Sequence, residues 1–248
     1  MRALNSAELL SVWERGAALP SFRQALVLLA AACPETPETE IAKLNLGQRD
    51  EQLLTLREWT FGPEFVSLAL CPGCGNKLEL TFTTEDIRIE TKIDQKDPLL
   101  MVVEDYKVSF RNLNSNDLLA IVDSKNMTEA RDVLLSRCLI DIQHNGEPQS
   151  TALLPVKIVD VIVDRMAHAD PQSDIQLNVL CPTCGHKWLA LFDIISFFWN
   201  EIDNWAHHIL GEVHALASMY GWSESDILAM SEFRRQYYLN MNTGVQRS

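Results

Sequence analysis

The sequence predicts a mostly helical α+β fold, and three observations lead to this prediction. Apolar residues recur at helical spacing through the first part of the chain and again over a long segment near the C-terminus. Two cysteine motifs, at residues 71–75 and 181–185, share the sequence pattern Cys-Pro-x-Cys-Gly and are called the two hooks below. Each of these hooks is flanked by apolar runs, which predicts a strand, a turn and a strand. The intervening residues are expected to form a small α/β unit inserted into a split four-cysteine zinc ribbon.

The composition is that of a soluble globular protein with excess negative charge. Hydrophobic residues make up 47% of the 248 residues, and 34 acidic side chains outnumber 21 basic ones, so the net charge is −13. Such an acidic chain is a poor binder of phosphate backbones, and no nucleic-acid partner is expected. The apolar run at 25–33 is too short to span a bilayer, so no membrane insertion is expected. Two Cys-x-x-Cys pairs among six cysteines fit a reducing, cytoplasmic location.

Residues 1–63 are predicted to form an N-terminal helical region. Ser6 is expected to cap a first helix, and a second helix begins at Ser21. A third helix follows Gly47 and ends at Gly62. The leucines of this third helix are expected to face the core, while four polar side chains are expected to face water: Arg49, Glu51, Gln52 and Arg57.

The middle of the chain is predicted to hold the split zinc ribbon, at 64–97 and 170–192, around an inserted α/β unit at 98–169. Polar residues at the end of the first part indicate a mobile connection. The inserted unit is expected to begin with two strands, at 100–103 and 106–110. Three helices are then expected, near 117–122, 127–143 and 154–169.

Residues 193–248 are predicted to form a C-terminal helical region with one long helix and two short ones. From Ile195 to Tyr220 apolar residues recur at steps of three and four, and Gly221 is expected to end the helix. The short helices reach about Met241, and the tail beyond it is expected to fray. The opposite face of the long helix carries Asn200, Asp203, Asn204, His207, Glu212 and His214. A surface that meets solvent or a partner is expected for the histidines and glutamates of this helix, which are His207, His208, His214, Glu201 and Glu212.

The cysteine quartet is the strongest chemical signal in the chain. Cys71, Cys74, Cys181 and Cys184 offer four thiolates at the spacing of a tetrahedral zinc site, and the glycine after each hook suits a tight turn. Four protein ligands leave no open position on the ion for water or substrate, so one structural Zn²⁺ is predicted. A redox Cys-x-x-Cys pair is the chief alternative, but such a pair occurs singly, at a helix N-terminus.

No catalytic motif accompanies the cysteines, and the chain is not expected to be an enzyme. The sequence has no Gly-rich phosphate loop and no Gly-x-Ser-x-Gly motif. The His-x-Glu motif of zinc deaminases is also missing. A hydrolase that uses the histidines and glutamates of the long helix is a rival hypothesis, and it requires a second metal.

Aromatic and arginine side chains near the C-terminus have the composition of protein-binding hot spots. Burial in the core accounts equally well for about half of the aromatic residues in this part of the chain. A partner-binding surface is predicted at Tyr220, Trp222, Phe233, Arg234, Arg235, Tyr237 and Tyr238.

Several short sequence motifs of this chain occur together in one protein family. Besides the two hooks, they are Trp13-Glu14-Arg15-Gly16, Arg49-Asp50, Phe61-Gly62-Pro63, His214-Ala215-Leu216, Tyr220-Gly221-Trp222-Ser223-Glu224 and Arg234-Arg235. On the basis of these motifs the chain resembles the zinc-hook baseplate proteins of contractile phage tails and phage-tail-like injection systems. These proteins are related to the T4-type baseplate hub assembly chaperones.

The resemblance implies a non-enzymatic baseplate or hub assembly factor, either a chaperone or an accessory component, that acts through protein–protein binding. The implied partners are hub, spike, wedge or tape-measure subunits. Such a protein is cytoplasmic, and it either leaves the particle as a chaperone would or is incorporated into it. The resemblance offers the four cysteines as site residues and no catalytic ones. A zinc-ribbon adaptor protein in transcription or nucleic-acid metabolism is the alternative, and the net charge of −13 disfavours it.

Overall fold

The computed structural model describes residues 1–89 and 98–243. Part of the predicted mobile connection, at 90–97, and the last part of the predicted frayed tail, at 244–248, lie outside the described residues. The helices are α1 Ser6–Gly16, α2 Ser21–Ala32, α3 Glu38–Ile41, α4 Leu46–Phe61, α5 Thr84–Ile87, α6 Ser115–Ala120, α7 Met127–Cys138, α8 Val156–Ala169, α9 Ile194–Tyr220, α10 Glu224–Leu228 and α11 Glu232–Thr243. The strands are β1 Glu64–Leu70, β2 Lys77–Thr83, β3 Leu99–Val103, β4 Tyr106–Phe110, β5 Leu139–His144, β6 Glu147–Pro148, β7 Ile175–Leu180 and β8 Lys187–Phe192.

The predicted fold class is confirmed, because the chain is a mostly helical α+β protein with small antiparallel sheets and a long C-terminal helix. It forms two compact units, one of Met1–Glu35 with Ile195–Ser248 and one of Thr36–Ile194. The finer division into four regions stays a prediction. Within the described ranges, no helix combines the length and the apolar character needed to cross a membrane.

A capping box fixes the N-terminus of α1, the first helix of the first unit. The helix begins at Ser6, but its cap is Asn5 and not Ser6 as predicted. The Asn5 side chain accepts a hydrogen bond from the backbone N–H of Glu8 at 2.9 Å, and the Glu8 carboxylate accepts one from the backbone of Asn5 at 3.0 Å. At the other end of α1, Gly16 lies against Trp199, where an added Cβ would be 2.2 Å from the indole ring. Only glycine fits this contact.

The apolar face of α9 forms the core of the first unit, as its periodicity predicts. Phe198 and Ile209 are fully buried. Ile209 packs in one cluster with Leu10 of α1, and Leu216 packs in another with Ile227 of α10. The long helix is therefore stabilised by packing against α1 and α10 rather than by helix propensity alone.

Helix α4 of the second unit buries two arginines that were predicted to face water. Arg49 lies beside Asp50, with its Nη2 2.7 Å from the carboxylate Oδ1. Burial raises the pKa of the Asp50 carboxyl to about 6, although Arg49 opposes the shift. Arg57 donates to the carbonyl of Gly62 at 2.7 Å and places its guanidinium 3.9 Å from the centroid of the Phe65 ring. Both predictions were wrong because these partners let a guanidinium enter the interior.

The same helix also begins earlier than predicted, at Leu46, under a capping box made by Asn45 and Gln48. Gly47 therefore lies in the first turn, where its N–H donates to Asp170 Oδ2 at 3.0 Å. An added Cβ at this glycine would be 2.0 Å from Asp170 Oδ1. The close approach explains why glycine, a poor helix former, occupies this position.

The inserted unit contains a four-stranded antiparallel sheet with the order β3-β4-β5-β6. Strands β3 and β4 match the prediction, whereas the helix predicted over 127–143 is wrong where α7 ends and β5 begins. Along β5 the side chain of Ile142 is buried and that of Ile140 is exposed, which is the period of a strand. The buried face of the sheet packs against α8 through Ile158 and Ile162. The short elements α3, α5 and β6 were not predicted.

A buried carboxylate ties the start of α6 to its surroundings in the second unit. Asp117 accepts two hydrogen bonds from Arg111, at 2.6 and 2.9 Å, and one from Arg137 at 2.8 Å. The backbone N–H of Asn114 also donates to it at 3.0 Å. Burial raises the pKa of Asp117, but the hydrogen bonds from the two arginines outweigh it and hold the pKa below its usual value.

Asp117→Asn is expected to lower the free energy of unfolding by about 2 kcal/mol, because the amide keeps an acceptor but loses the charge that both arginines pair with. Urea unfolding at pH 7 measures this, with the exposed Asp123→Asn as control. Since the folded pKa of Asp117 is depressed, its contribution should be lost as the pH falls from about 4 through the folded value. Equal acid sensitivity of wild type and Asp117→Asn would contradict this role.

Candidate metal centre

Each hook closes a two-stranded antiparallel hairpin, as the sequence predicts. Strand β1 pairs with β2 along its whole length, and β7 pairs with β8 along its whole length. In both hairpins the first cysteine follows the first strand directly, and the second cysteine lies in the turn before the return strand. Both cysteine pairs therefore lie at the same end of their hairpins.

The two hairpins contact each other through three phenylalanines at the ends away from the hooks. The ring of Phe65 stacks on that of Phe82, with centroids 5.0 Å apart. Phe192 from the second hairpin lies edge-on to both rings, at 5.5 and 5.3 Å. This aromatic contact orients the hairpins, so that the hooks at their other ends meet.

The hooks have the same local geometry. The backbone N–H of Cys71 donates to the carbonyl of Asn76 at 2.9 Å, and that of Gly75 donates to the carbonyl of Cys71 at 2.8 Å. The second hook repeats both hydrogen bonds at 2.9 Å. Gly75 and Gly185 each have φ at 74°, in the left-handed region that favours glycine. The glycine that follows each cysteine pair is therefore required by the turn.

The turns bring the four sulfur atoms together. The Sγ atoms of Cys71 and Cys184 are 3.7 Å apart, as are those of Cys74 and Cys181, and all four lie within 4.8 Å of one another. A tetrahedral ion with metal–sulfur bonds of about 2.3 Å has sulfur–sulfur edges of about 3.8 Å. The quartet therefore has the size of a four-thiolate metal site and could hold one metal ion.

The protonation of the quartet depends on its neighbours. A hydrogen bond from the backbone of Cys184 lowers the pKa of the Cys181 thiol to about 6. The backbone of Asn76 likewise lowers the pKa of Cys74, but desolvation and the surrounding thiols raise it to about 12. One thiolate thus forms readily at Cys181, and a second one at Cys74 is disfavoured beside it. Four thiolates at these distances need a cation between them.

The two hooks also contact each other beside the cysteine quartet. The side-chain amide of Asn76 donates to the hydroxyl of Thr183 at 2.9 Å. Gly73 lies against the ring of His186, where an added Cβ would be 3.1 Å from the ring. His186 is exposed, and it is not among the side chains whose ligand atoms cluster with the cysteines. These contacts fix the position of one hook relative to the other.

Across residues 1–89 and 98–243, the cysteine quartet is the one group of three or more His, Cys, Asp or Glu side chains placed to share a metal ion. Polar residues on α9 contact each other instead: His207 lies 3.8 Å from Asp203, and His208 lies 3.0 Å from Glu212. Trp13 also donates to Asp203, at 2.8 Å. The second metal required by the hydrolase hypothesis has no such group within these residues.

The predicted partner surface divides into packed and exposed residues. Tyr220 stacks on Trp222 at 4.5 Å, and Tyr238 lies against both rings at 5.8 and 4.8 Å. The guanidinium carbon of Arg234 is 5.7 Å from the Tyr238 centroid. This aromatic cluster is only partly exposed, and it holds the end of α9 against α11.

Arg235 does not belong to an exposed surface, which corrects its predicted role. It is buried, and its Nε donates to Glu212 Oε2 at 2.6 Å while its Nη1 donates to the carbonyl of Met230 at 2.7 Å. The prediction that Glu212 faces solvent or a partner is wrong for the same reason. Arg235 and Glu212 are both buried at the contact of α9 and α11, and each compensates the other's charge in place of water.

Three apolar side chains on the outer face of α11 are strongly exposed. Phe233 is 83% exposed, Tyr237 58% and Met241 52%. They are four residues apart, so they line one face of the helix. We name these three residues the α11 stripe. Met241 was not predicted as a site residue, although its spacing from Tyr237 could have indicated it.

A protein-family model matches most of this chain. A family model described as T4 bacteriophage base plate protein matches residues 18–199, which include both hooks and the inserted unit but not the α11 stripe. No curated protein and no solved structure matches the chain. Because the matched residues make up well over half of its length, the chain belongs to the family of T4 bacteriophage base plate proteins.

Proposed function

We propose that the protein is a non-enzymatic assembly factor of a baseplate, acting in the cytoplasm by binding other baseplate subunits. The family match over residues 18–199 is the observation that carries this proposal. Hub, spike, wedge and tape-measure subunits are the candidate partners. The particle is a contractile phage tail or a phage-tail-like injection system, and the role is that of a chaperone or accessory component.

In this proposal the metal is one Zn²⁺, and its role is structural. Four thiolates at tetrahedral spacing are a typical donor set for zinc, and they fill its coordination shell. The cysteines come from segments more than one hundred residues apart in sequence. A zinc ion held there would fix the two hairpins to each other, and it would supply no open position for a substrate.

The α11 stripe is the proposed partner-binding surface. One face of α11 contacts α9 and the residues after it through Arg235 and the aromatic cluster, and the stripe lies on the exposed face. Large apolar side chains at spacing i, i+4 and i+8 form the ridge with which a helix packs into a partner's groove. A pre-ordered ridge loses little conformational entropy on binding.

The combined variant Phe233→Ser and Tyr237→Ser is expected to weaken partner binding by about 2 kcal/mol or more, which is about 30-fold, because both side chains are anchors of the kind that dominate interfaces. The measurement is co-purification of hub, spike, wedge or tape-measure subunits with the tagged protein from cells that assemble particles. Met127→Ser, at an equally exposed apolar position outside the stripe, is the matched control and should retain them. The melting temperature should change little in both variants.

Deletion of the gene tests the broader proposal. Without the protein, complete baseplates should not form. Normal numbers of particles with normal baseplates in the deletion strain would overturn the assembly role, whatever the α11 variants do.

A further inference from the structure

The four cysteines of the quartet differ in exposure, and each hook has one of each kind. Cys71 and Cys181, the first cysteines of the two hooks, are 2% and 1% exposed. Cys74 and Cys184, the second cysteines, are exposed. A dissolved oxidant attacks cysteine sulfur where it is accessible and has thiolate character. The two exposed cysteines are therefore the expected positions of first attack.

Each exposed cysteine has a buried cysteine of the other hook close to it. The Sγ atoms are 3.7 Å apart in the pair of Cys74 with Cys181 and in the pair of Cys184 with Cys71. A disulfide has an S–S distance of about 2 Å, so each pair needs to close by less than about 2 Å. Each buried cysteine can thus resolve an oxidised cysteine of the opposite hook.

Bonds between the hooks are favoured over bonds within a hook. A bond within a hook would close a loop of only a few residues and would leave the two hairpins unconnected. A bond between the hooks joins residues 107 or 113 positions apart, and a longer closed loop restricts the unfolded chain more. The contact of Asn76 with Thr183 and that of Phe65 with Phe192 hold the hooks in register for this pairing.

We propose that the cysteine quartet is a site of reversible oxidation, at which a peroxide joins Cys74 to Cys181 and Cys71 to Cys184. Two covalent bonds then connect the hairpins in place of a metal ion. The connection would persist in an oxidising environment, and thiol reductants would reverse it. The proposal uses the positions of the sulfur atoms and does not depend on the proposed function.

Each disulfide forms in two steps that consume one hydrogen peroxide. The thiolate of Cys74 attacks a peroxide oxygen, the O–O bond breaks, and a sulfenic acid forms at Cys74 while hydroxide leaves. The thiolate of Cys181 then attacks this sulfur, forms the S–S bond and displaces a second hydroxide. The two thiolates lose two electrons in total, and two protons from solvent convert the hydroxides to water. Cys184 and Cys71 react in the same way with a second peroxide.

The test treats the full-length protein, as purified with its metal, with a small excess of hydrogen peroxide and maps the disulfides after free thiols are blocked. Trypsin places both cysteines of the first hook in peptide 58–77 and both cysteines of the second hook in peptide 166–187. Bonds between the hooks join these peptides, whereas bonds within a hook leave them separate. We expect the joined pair to exceed the separate disulfide peptides about tenfold. With limiting peroxide, fragmentation of the joined pair should show Cys74 bonded to Cys181 or Cys71 bonded to Cys184.

Two controls and one further measurement accompany this map. In concentrated guanidinium chloride the bonds should form within the hooks, because neighbours in sequence meet most often in an unfolded chain. Cys33 lies outside the quartet and should not enter a disulfide. The oxidised protein should melt at least about 5 °C above protein that is stripped of metal with a chelator and kept reduced.

Three results would overturn the proposal. They are disulfides within the hooks of the folded protein, sulfinic acids without any disulfide, and an oxidised protein that melts no higher than the reduced, metal-free one. A protein purified without zinc would contradict the proposed metal and leave this test intact, because the disulfide map is read without reference to the metal.

Discussion

Cys74→Ser and Cys184→Ser are each expected to abolish metal binding and to unfold the two hook hairpins. Each hairpin has only two strands, and such hairpins are marginally stable alone in water. A structural zinc ion contributes on the order of 10 kcal/mol of apparent folding free energy in small domains. The apolar core of the inserted sheet lies outside the hairpins and limits the loss. We expect a fall in melting temperature of about 10 °C or more.

Metal analysis and thermal unfolding of the same samples check this result. Wild type should contain one zinc per chain, and both variants should contain none. Cys33→Ser is the matched control, since it replaces a cysteine outside the quartet and should keep both the metal and the melting temperature. A variant that lost its metal at an unchanged melting temperature would show that the ion does not stabilise the hairpins. A different metal in the wild type would contradict the assignment to zinc.

The hairpins could be predicted from the sequence because their determinants are local. Glycine after each cysteine pair fixes the turn, and the strands on either side carry their apolar residues within a few positions of it. The long helix α9 was predictable for a related reason, because its apolar spacing persists over 27 residues. That the two local cysteine pairs meet at one centre was predictable because zinc takes four protein ligands in structural sites, and a single pair supplies only two.

Other features depend on contacts that are distant in sequence, and these were missed. The helix predicted over 127–143 ran into β5 because no Gly or Pro separates the two elements in sequence. The β-branched Ile140 and Ile142 favour a strand, and Ile142 packs in the sheet core beside β4. Arg49, Arg57 and Arg235 look like surface residues in sequence, and each is buried because a carboxylate, a carbonyl or an aromatic ring meets it in the fold. The sequence does not show which charged residues have such partners.

Arg235→Leu is expected to cause the second-largest loss of stability, because it leaves the carboxylate of Glu212 buried without its cation. Glu212 would keep hydrogen bonds from Gln236 and His208 only. Removal of one member of a buried ion pair typically costs about 3–5 kcal/mol. Denaturant unfolding followed by tryptophan fluorescence measures the loss. Arg234→Leu, at the exposed neighbouring position, is the control and should change stability by less than about 0.5 kcal/mol.

The double variant Glu212→Leu with Arg235→Leu separates the unpaired charge from the lost contacts. Two leucines leave no buried charge, so most of the stability lost in Arg235→Leu should return. A double variant as unstable as the single one would mean that the contact of Arg235 with the carbonyl of Met230 matters more than the ion pair. Because this pair fixes α11 on α9, the proposed binding of a partner by the α11 stripe predicts that the single variant also binds this partner more weakly. In that proposal Arg235 acts by orienting the exposed residues and not by touching the partner.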